Sequence, residues 1–280
     1  MSAWITFIKE RVPLFIYLLL SAGMVTSSLV LLGEGLWSEL HIISVIGLLI
    51  FFIELRFMDE FKDVNKDRIA HPDRPLPRGL LTEQQVRKAI NGLYMVMIIW
   101  SLLTTSLFSV MGGLGYLTVT IVLGLMYKEF FVGDWLSKRP ILYALSHQLI
   151  IYPIVFFPIA CLDIDAALSI NTFYLGTMMI GGFLAYEVCR KLDPEANPVL
   201  ETYLSVYGKA NTTRIILACL ITAAFGAKAL GVHHILWPIE IILALSLIIV
   251  FKKPEKYKII EAIAGISLLA HMWAYTSMMG

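Results

Sequence analysis

Charge is scarce in this chain. Asp, Glu, Lys and Arg make up 15% of its 280 residues, against about 25% in an ordinary soluble domain. Cysteine is scarcer still. Cys161, Cys189 and Cys219 lie far apart in apolar stretches, which excludes a disulfide framework and the paired spacing of a zinc site. They read as packing residues, as free cysteines commonly are. A strong excess of one sign is also missing. A formal net charge of +1 provides no global field to attract nucleic acid. A cleavable leader is not expected either. Lys9, Glu10 and Arg11 precede an apolar run too long for an h-region and without a small-residue cleavage site, so that run should stay in the membrane.

What the chain has in excess is apolar surface. Hydrophobic residues are 58% of it, and mean hydropathy is +0.78. A bilayer core requires ~20 mainly apolar residues per helix. Nine segments meet that need, at about 13–33, 41–58, 86–108, 110–127, 140–162, 166–189, 212–231, 234–251 and 258–278. The expected class is therefore all-α. The chain reads as a single polytopic domain over 1–280, with nine transmembrane helices around a central cavity. Lys and Arg cluster in alternate connections: Lys9 and Arg11, then 62–88, 128–139, 190–209 and 252–258. The positive-inside rule puts the N-terminus and these loops in the cytoplasm.

The acidic residues follow the same alternation. Residues 57–79 read FMDEFKDVNKDRIAHPDRPLPRG. Asp59, Asp63 and Asp67 are spaced i, i+4, i+8, and a helix continuing through them would place all three on one face. Glu60 sits beside them. Carboxylate oxygens in this pattern suit Mg²⁺, which keeps positions open for water and phosphate oxygens. Lys62, Lys66, Arg68, Arg74 and Arg78 can neutralise phosphate charge. Pro72, Pro75 and Pro77 should make the following stretch a stiff extended loop. The other reading of the same residues is a solvated charge run beside the membrane. A second cluster, YEVCRKLDPEANPVLETY over 186–203, carries Glu187, Arg190, Lys191, Asp193, Glu195 and Glu201. Glu187 either joins the first cluster across a cavity or simply pairs with Lys191 one turn on.

At these residues the chain resembles the UbiA superfamily of intramembrane prenyltransferases. That family has nine transmembrane helices and two aspartate-rich motifs on cytoplasmic loops. Its first motif is NDxxDxxxD followed by RPxxxG. DEFKDVNKD (59–67) and RPLPRG (74–79) are similar to it, with Asp63 and Asp67 on the second and third family aspartates, Glu60 on the first and Asp59 on the asparagine. Tyr127, Lys128, Lys138 and Arg139 resemble the family's tyrosine and basic residues after the fourth helix. The second motif, DxxxD in the family, departs: Glu187 stands for the first aspartate, Lys191 occupies the i+4 place, and Asp193 or Glu195 would have to supply the missing carboxylate.

The resemblance implies a prenyl diphosphate substrate and two Mg²⁺ ions between the motifs. The implied ligands and catalytic groups are Asp59, Glu60, Asp63, Asp67, Glu187, Asp193 and Glu195. Lys62, Arg68, Arg74, Arg78, Lys128, Lys138, Arg139, Arg190 and Lys191 would hold the diphosphate. It also implies ionisation to an allylic cation, shielded by the membrane and stabilised by aromatic faces such as Tyr127, Phe131, Tyr186 and Tyr203. For each of these rings the alternative is ordinary packing or an interfacial belt. His147, a polar group in an apolar helix, either lines the cavity or makes a structural hydrogen bond. The expected activity is prenyl transfer to an aromatic or lipid-like acceptor. The alternatives are a terpene cyclase that needs no acceptor and a lipid-binding or transport protein.

Overall fold

The computed structural model describes residues 2–34 and 37–278. Helices follow one another throughout, and no strand occurs among the described residues. They are α1 (Ala3–Arg11), α2 (Leu14–Val30), α3 (Glu39–Lys62), α4 (Val64–Ala70), α5 (Glu83–Leu107), α6 (Val110–Tyr127) and α7 (Gly133–Ser137). Then come α8 (Pro140–Gln148), α9 (Ile151–Ala160), α10 (Ile164–Ala167), α11 (Ile170–Cys189), α12 (Tyr203–Ala229), α13 (His233–Ser246), α14 (Ile248–Lys252) and α15 (Tyr257–Trp273). The starts are marked by capping side chains. Ser38 accepts the His41 N–H at 3.1 Å, and Thr82 and Gln85 form a reciprocal capping box. Such caps satisfy amide donors that would otherwise be orphaned.

The long helices close a ring in chain order. α2 packs on α3, α3 on α5, α5 on α6, α6 on α9, α9 on α11, α11 on α12, α12 on α13 and α13 on α15, and α15 returns to α2. Seven helical segments are long and apolar enough to cross a bilayer, and an eighth is gained if α1 and α2, bent by 56°, form one span. The sequence suggested nine. The helix outside that set is α11, whose Asn171, Thr172, Tyr174, Thr177 and Glu187 dilute its apolar run. It is instead among the most enclosed helices, with thirteen buried residues from Thr172 to Cys189.

Glycine lets α11 and α12 approach backbone to backbone. A Cβ on Gly226 would stand 2.7 Å from Met178 N and from Tyr174 O, and one on Gly181 would stand 2.7 Å from Cys219 O. Small residues at such a seam replace the hydrophobic drive that lipid does not supply. Gly226→Val is therefore expected to prise the pair apart and cost at least ~1–3 kcal/mol through overpacking. Thermal unfolding in detergent measures it, and an unchanged melting temperature would refute the packing argument.

Several polar groups inside the ring have partners, as a low-dielectric interior favours. Tyr116 donates to Gly47 O at 2.7 Å and Trp100 Nε1 to Ile43 O at 3.3 Å. His271 Nε2 meets Glu240 Oε1 at 2.9 Å, joining α15 to α13. Glu54 stands out among the buried groups that lack a partner, because both of its oxygens do. It is buried in α3, and neither carboxylate oxygen has a partner among the described residues.

Candidate active site at one end of the ring

The C-terminal ends of α3 and α11 come together at one end of the ring. α3 stops at Lys62 and α4 begins at Val64, with Asp63 at the joint. Two i→i+4 bonds still bridge it, from Asp63 N to Asp59 O at 2.9 Å and from Asp67 N to Asp63 O at 2.8 Å. Asp59 and Asp63 are open to solvent. Arg190, at the end of α11, lies within electrostatic reach of Asp59, and Lys191 within reach of Asp63. The Asp63 carboxyl is held above the ordinary carboxylate range. The protein surrounding it is the largest cause and the neighbouring Asp67 adds to it, while Lys191, Lys62 and Lys66 oppose. Lys66 also reaches Glu201 at 3.3 Å, linking the loops that follow α3 and α11.

The single acidic face expected from the i, i+4, i+8 spacing does not form. Asp67 is buried at 2% exposure, and Arg74 Nη1 donates to its Oδ1 at 2.6 Å. Glu60, expected among the metal ligands, is turned from the open face and 3% exposed. It lies between Arg11, whose Nη2 is 2.6 Å from Oε1, and Arg56, which pairs with the same oxygen. The stretch after α4 is not extended either. Arg74 N bonds His71 O at 3.1 Å, Arg78 N bonds Arg74 O at 3.0 Å and Leu80 N bonds Pro75 O at 2.9 Å. These consecutive turns are anchored by buried Leu76 and Leu81. Proline fixes φ at a value that turns accept as readily as extended chain does, and the buried leucines decide between them.

Removing Arg74 leaves the buried Asp67 without its cation, so Arg74→Ala is expected to destabilise the protein by about 2 kcal/mol, less than the full cost of a broken buried pair because Arg74 is partly exposed. An unchanged melting temperature, with only substrate binding weakened, would return Arg74 to the role of a simple phosphate ligand.

In the second cluster both oxygens of Glu187 are taken. Lys191 Nζ stands 2.6 Å from Oε1 and Arg190 Nη2 stands 2.6 Å from Oε2. Asp193 accepts the Glu195 N–H at 2.9 Å and interacts with Tyr257, and Glu195 is exposed. Among the described residues no three His, Cys, Asp or Glu side chains converge into a cage for a metal ion. Asp59 and Asp63 supply two hard oxygen donors. That fits Mg²⁺ where waters and phosphate oxygens complete the shell.

No protein-family model matches the sequence, and no curated protein matches it. The structure does match one that has been solved. It superimposes on digeranylgeranylglyceryl phosphate synthase, a membrane enzyme, with a TM-score of 0.61, covering 98% of this chain and 99% of that one at 14% identity. The chain has a UbiA-type fold. At that identity the two share a fold, and the residues of the site have to be argued from this chain alone. Its long apolar helices are those of an integral multi-pass membrane protein.

Within the UbiA fold, the remaining expected residues divide. Lys62 Nζ donates to Tyr143 Oη at 2.8 Å and pairs with Glu129 at 3.1 Å. Tyr143 stacks on His147 with centroids 4.1 Å apart, and His147 Nδ1 donates to Tyr143 O at 2.8 Å. The buried His147 Nε2 has no partner among the described residues. Tyr203 is buried under Lys191, 5.6 Å from ammonium to ring centroid. Tyr186 is half-buried within reach of Arg190 and Glu187, and Tyr127 packs against Phe61.

Other residues stand apart from this centre. Arg68 pairs with Glu83 at 2.6 Å and Arg78 with Glu10 at 2.9 Å, both on the outside. Arg139 covers Trp135 at 4.3 Å, Lys128 lies over Tyr127 at 5.3 Å, and Lys138 is exposed. Phe131 is 77% exposed on a segment whose residues 129–131 all have positive φ. Four residues of the centre were not anticipated: Arg11, Arg56, Tyr143 and Glu129. Of their contacts, only Arg56 with Glu60, one helical turn apart, had a sequence signal.

Proposed function

We propose that this protein is an intramembrane prenyltransferase that ionises a prenyl diphosphate and passes the prenyl group to an aromatic or lipid-like acceptor. One observation carries the reading: Asp59 and Asp63 stand open at the end of a UbiA-type ring, opposite the cations Arg190 and Lys191. Carboxylates facing cations across a gap suit a ligand that is itself an anion bound through a cation. A prenyl diphosphate fits, with its head at the charged end and its tail among apolar helices. We place this end at the cytoplasmic face, on the distribution of Lys and Arg, and read α11 as the ninth span.

Mg²⁺ would supply Lewis-acid stabilisation of the departing diphosphate. Asp59 and Asp63 hold that charge in place. Arg190 and Lys191 contact phosphate oxygens directly, and the surrounding helices keep water from the cation that forms. The aromatic residues placed to face that cation are Tyr186 and Tyr203.

Purified protein with Mg²⁺ and a panel of prenyl diphosphates is expected to release diphosphate. Product analysis, with and without acceptors, identifies the fate of the prenyl group. A prenylated acceptor supports the reading. A hydrocarbon formed without acceptor means a cyclase, and no diphosphate release from any substrate rejects the proposal.

A further inference from the structure

We infer that this site binds the diphosphate with one divalent ion, and that Arg190 and Lys191 take the place of a second. The inference rests on the prenyl diphosphate reading above. A second ion at the end of α11 would need carboxylate oxygens from more than one side chain there, and among the described residues of this loop only the exposed Glu195 shows no partner for its carboxylate. Both oxygens of Glu187 are held at 2.6 Å, one by a guanidinium and one by an ammonium. Asp193 is committed to the Glu195 N–H and to Tyr257. Glu201 is drawn to Lys66 at 3.3 Å, which leaves Glu195 as a lone carboxylate beside two cations.

The two cations are also placed for the task. Lys191 is fixed from two sides, by Glu187 and by the ring of Tyr203. Arg190 presents its guanidinium as a fork, with Nε and Nη2 both on Glu187 Oε2 at 2.6 Å. Its remaining N–H donors are available to phosphate, which this planar group recognises with two parallel bonds. A divalent ion in the same gap would meet two like charges before reaching a ligand. The α3 side differs: Asp59 and Asp63 are both open and one turn apart, enough for one ion completed by water and phosphate.

The division of labour follows. Asp59 and Asp63 would hold the one ion that neutralises the diphosphate, and Arg190 and Lys191 bind its phosphate oxygens. When the bond between the allylic carbon and oxygen breaks, both electrons leave with the diphosphate. Its added negative charge is met by Arg190 and Lys191, with the Lewis-acid stabilisation that an ion held by Asp59 and Asp63 would supply, and the prenyl fragment carries the matching positive charge.

Mn²⁺ replaces Mg²⁺ as a paramagnetic probe in the test. Purified full-length protein in detergent is titrated with Mn²⁺ and a geranylgeranyl thiolodiphosphate that resists ionisation, and bound ions are counted by electron paramagnetic resonance. One ion per chain is expected, rising to two in Lys191→Asp. In EDTA the wild type should still bind the analogue, at least tenfold more tightly than Lys191→Gln. Lys191 is partly exposed, so both variants should fold, and their melting curves check it. Two ions in the wild type overturn the inference and leave the prenyl diphosphate reading standing. Metal-free binding unaffected by Lys191→Gln also overturns it. Failure to bind the analogue under any condition rejects the prenyl diphosphate reading itself.

Discussion

Under the prenyl diphosphate reading, Asp63→Ala is expected to abolish diphosphate release, by ~1,000-fold or more, and to leave the protein folded. The magnitude follows from what the carboxylate anchors. A metal ion on a departing phosphate supplies several kcal/mol, and each 1.36 kcal/mol is a factor of ten in rate. The fold survives because Asp63 is open to solvent at the joint between α3 and α4 and supports no packing. Its removal also takes charge away from Asp67 and Asp59, which the native site holds close to it. The measurement is single-turnover diphosphate release, with a melting curve alongside. An active, folded Asp63→Ala protein would remove Asp63 from the metal site.

Glu60→Ala is expected to do the opposite, with the loss falling on stability. Glu60 is buried and holds Arg11 and Arg56 on one oxygen. Breaking a buried pair by deleting one partner costs about 3–5 kcal/mol. Two arginines left facing each other without a counter-charge put this variant near the lower bound or beyond, since both keep some access to water. Arg11 closes α1, and Glu60 stands near the end of α3. The variant should therefore loosen α1, seen as faster proteolysis after Lys9 or Arg11 and a lower melting temperature. A Glu60→Ala protein that melts like the wild type but no longer binds Mn²⁺ would restore Glu60 to the metal ligands.

The two substitutions separate residues that are neighbours in the sequence and alike in chemistry. The helices themselves were legible. Apolar runs of bilayer length marked every long helix, while the starts at the Ser38, Thr82 and Ser169 caps lie a few residues from the ends of those runs. Their arrangement in a ring was not visible, because it depends on contacts such as Gly226 with Met178 that no local pattern encodes. At the site, the acidic stretch was conspicuous, but periodicity could not say which carboxylates would be open. That was decided by Arg11, 49 positions from Glu60, and by Arg74 folding back on Asp67 through turns that hydrogen-bond locally. Lys191 was legible as a departure from the family's second motif. Its pairing with Glu187 was one of two readings, and the geometry shows that pair formed.

The charged end has a further consequence for how a substrate arrives. Lys66 and Glu201 join the two loops over the gap, which narrows the approach from water. Many outward-facing residues of the ring are large and apolar, among them Ile99, Leu102, Ile221 and Leu245. A molecule with an isoprenoid tail dissolves in the same layer as this ring and floats with its anionic head at the depth of Asp59 and Arg190. Its search is confined to a plane, with one coordinate already set by its own amphiphilicity. Under the prenyl diphosphate reading, encounter would scale with the number of substrate molecules per area of membrane rather than per volume of water, so diluting the bilayer with inert lipid or detergent is expected to slow the reaction even at constant bulk concentration.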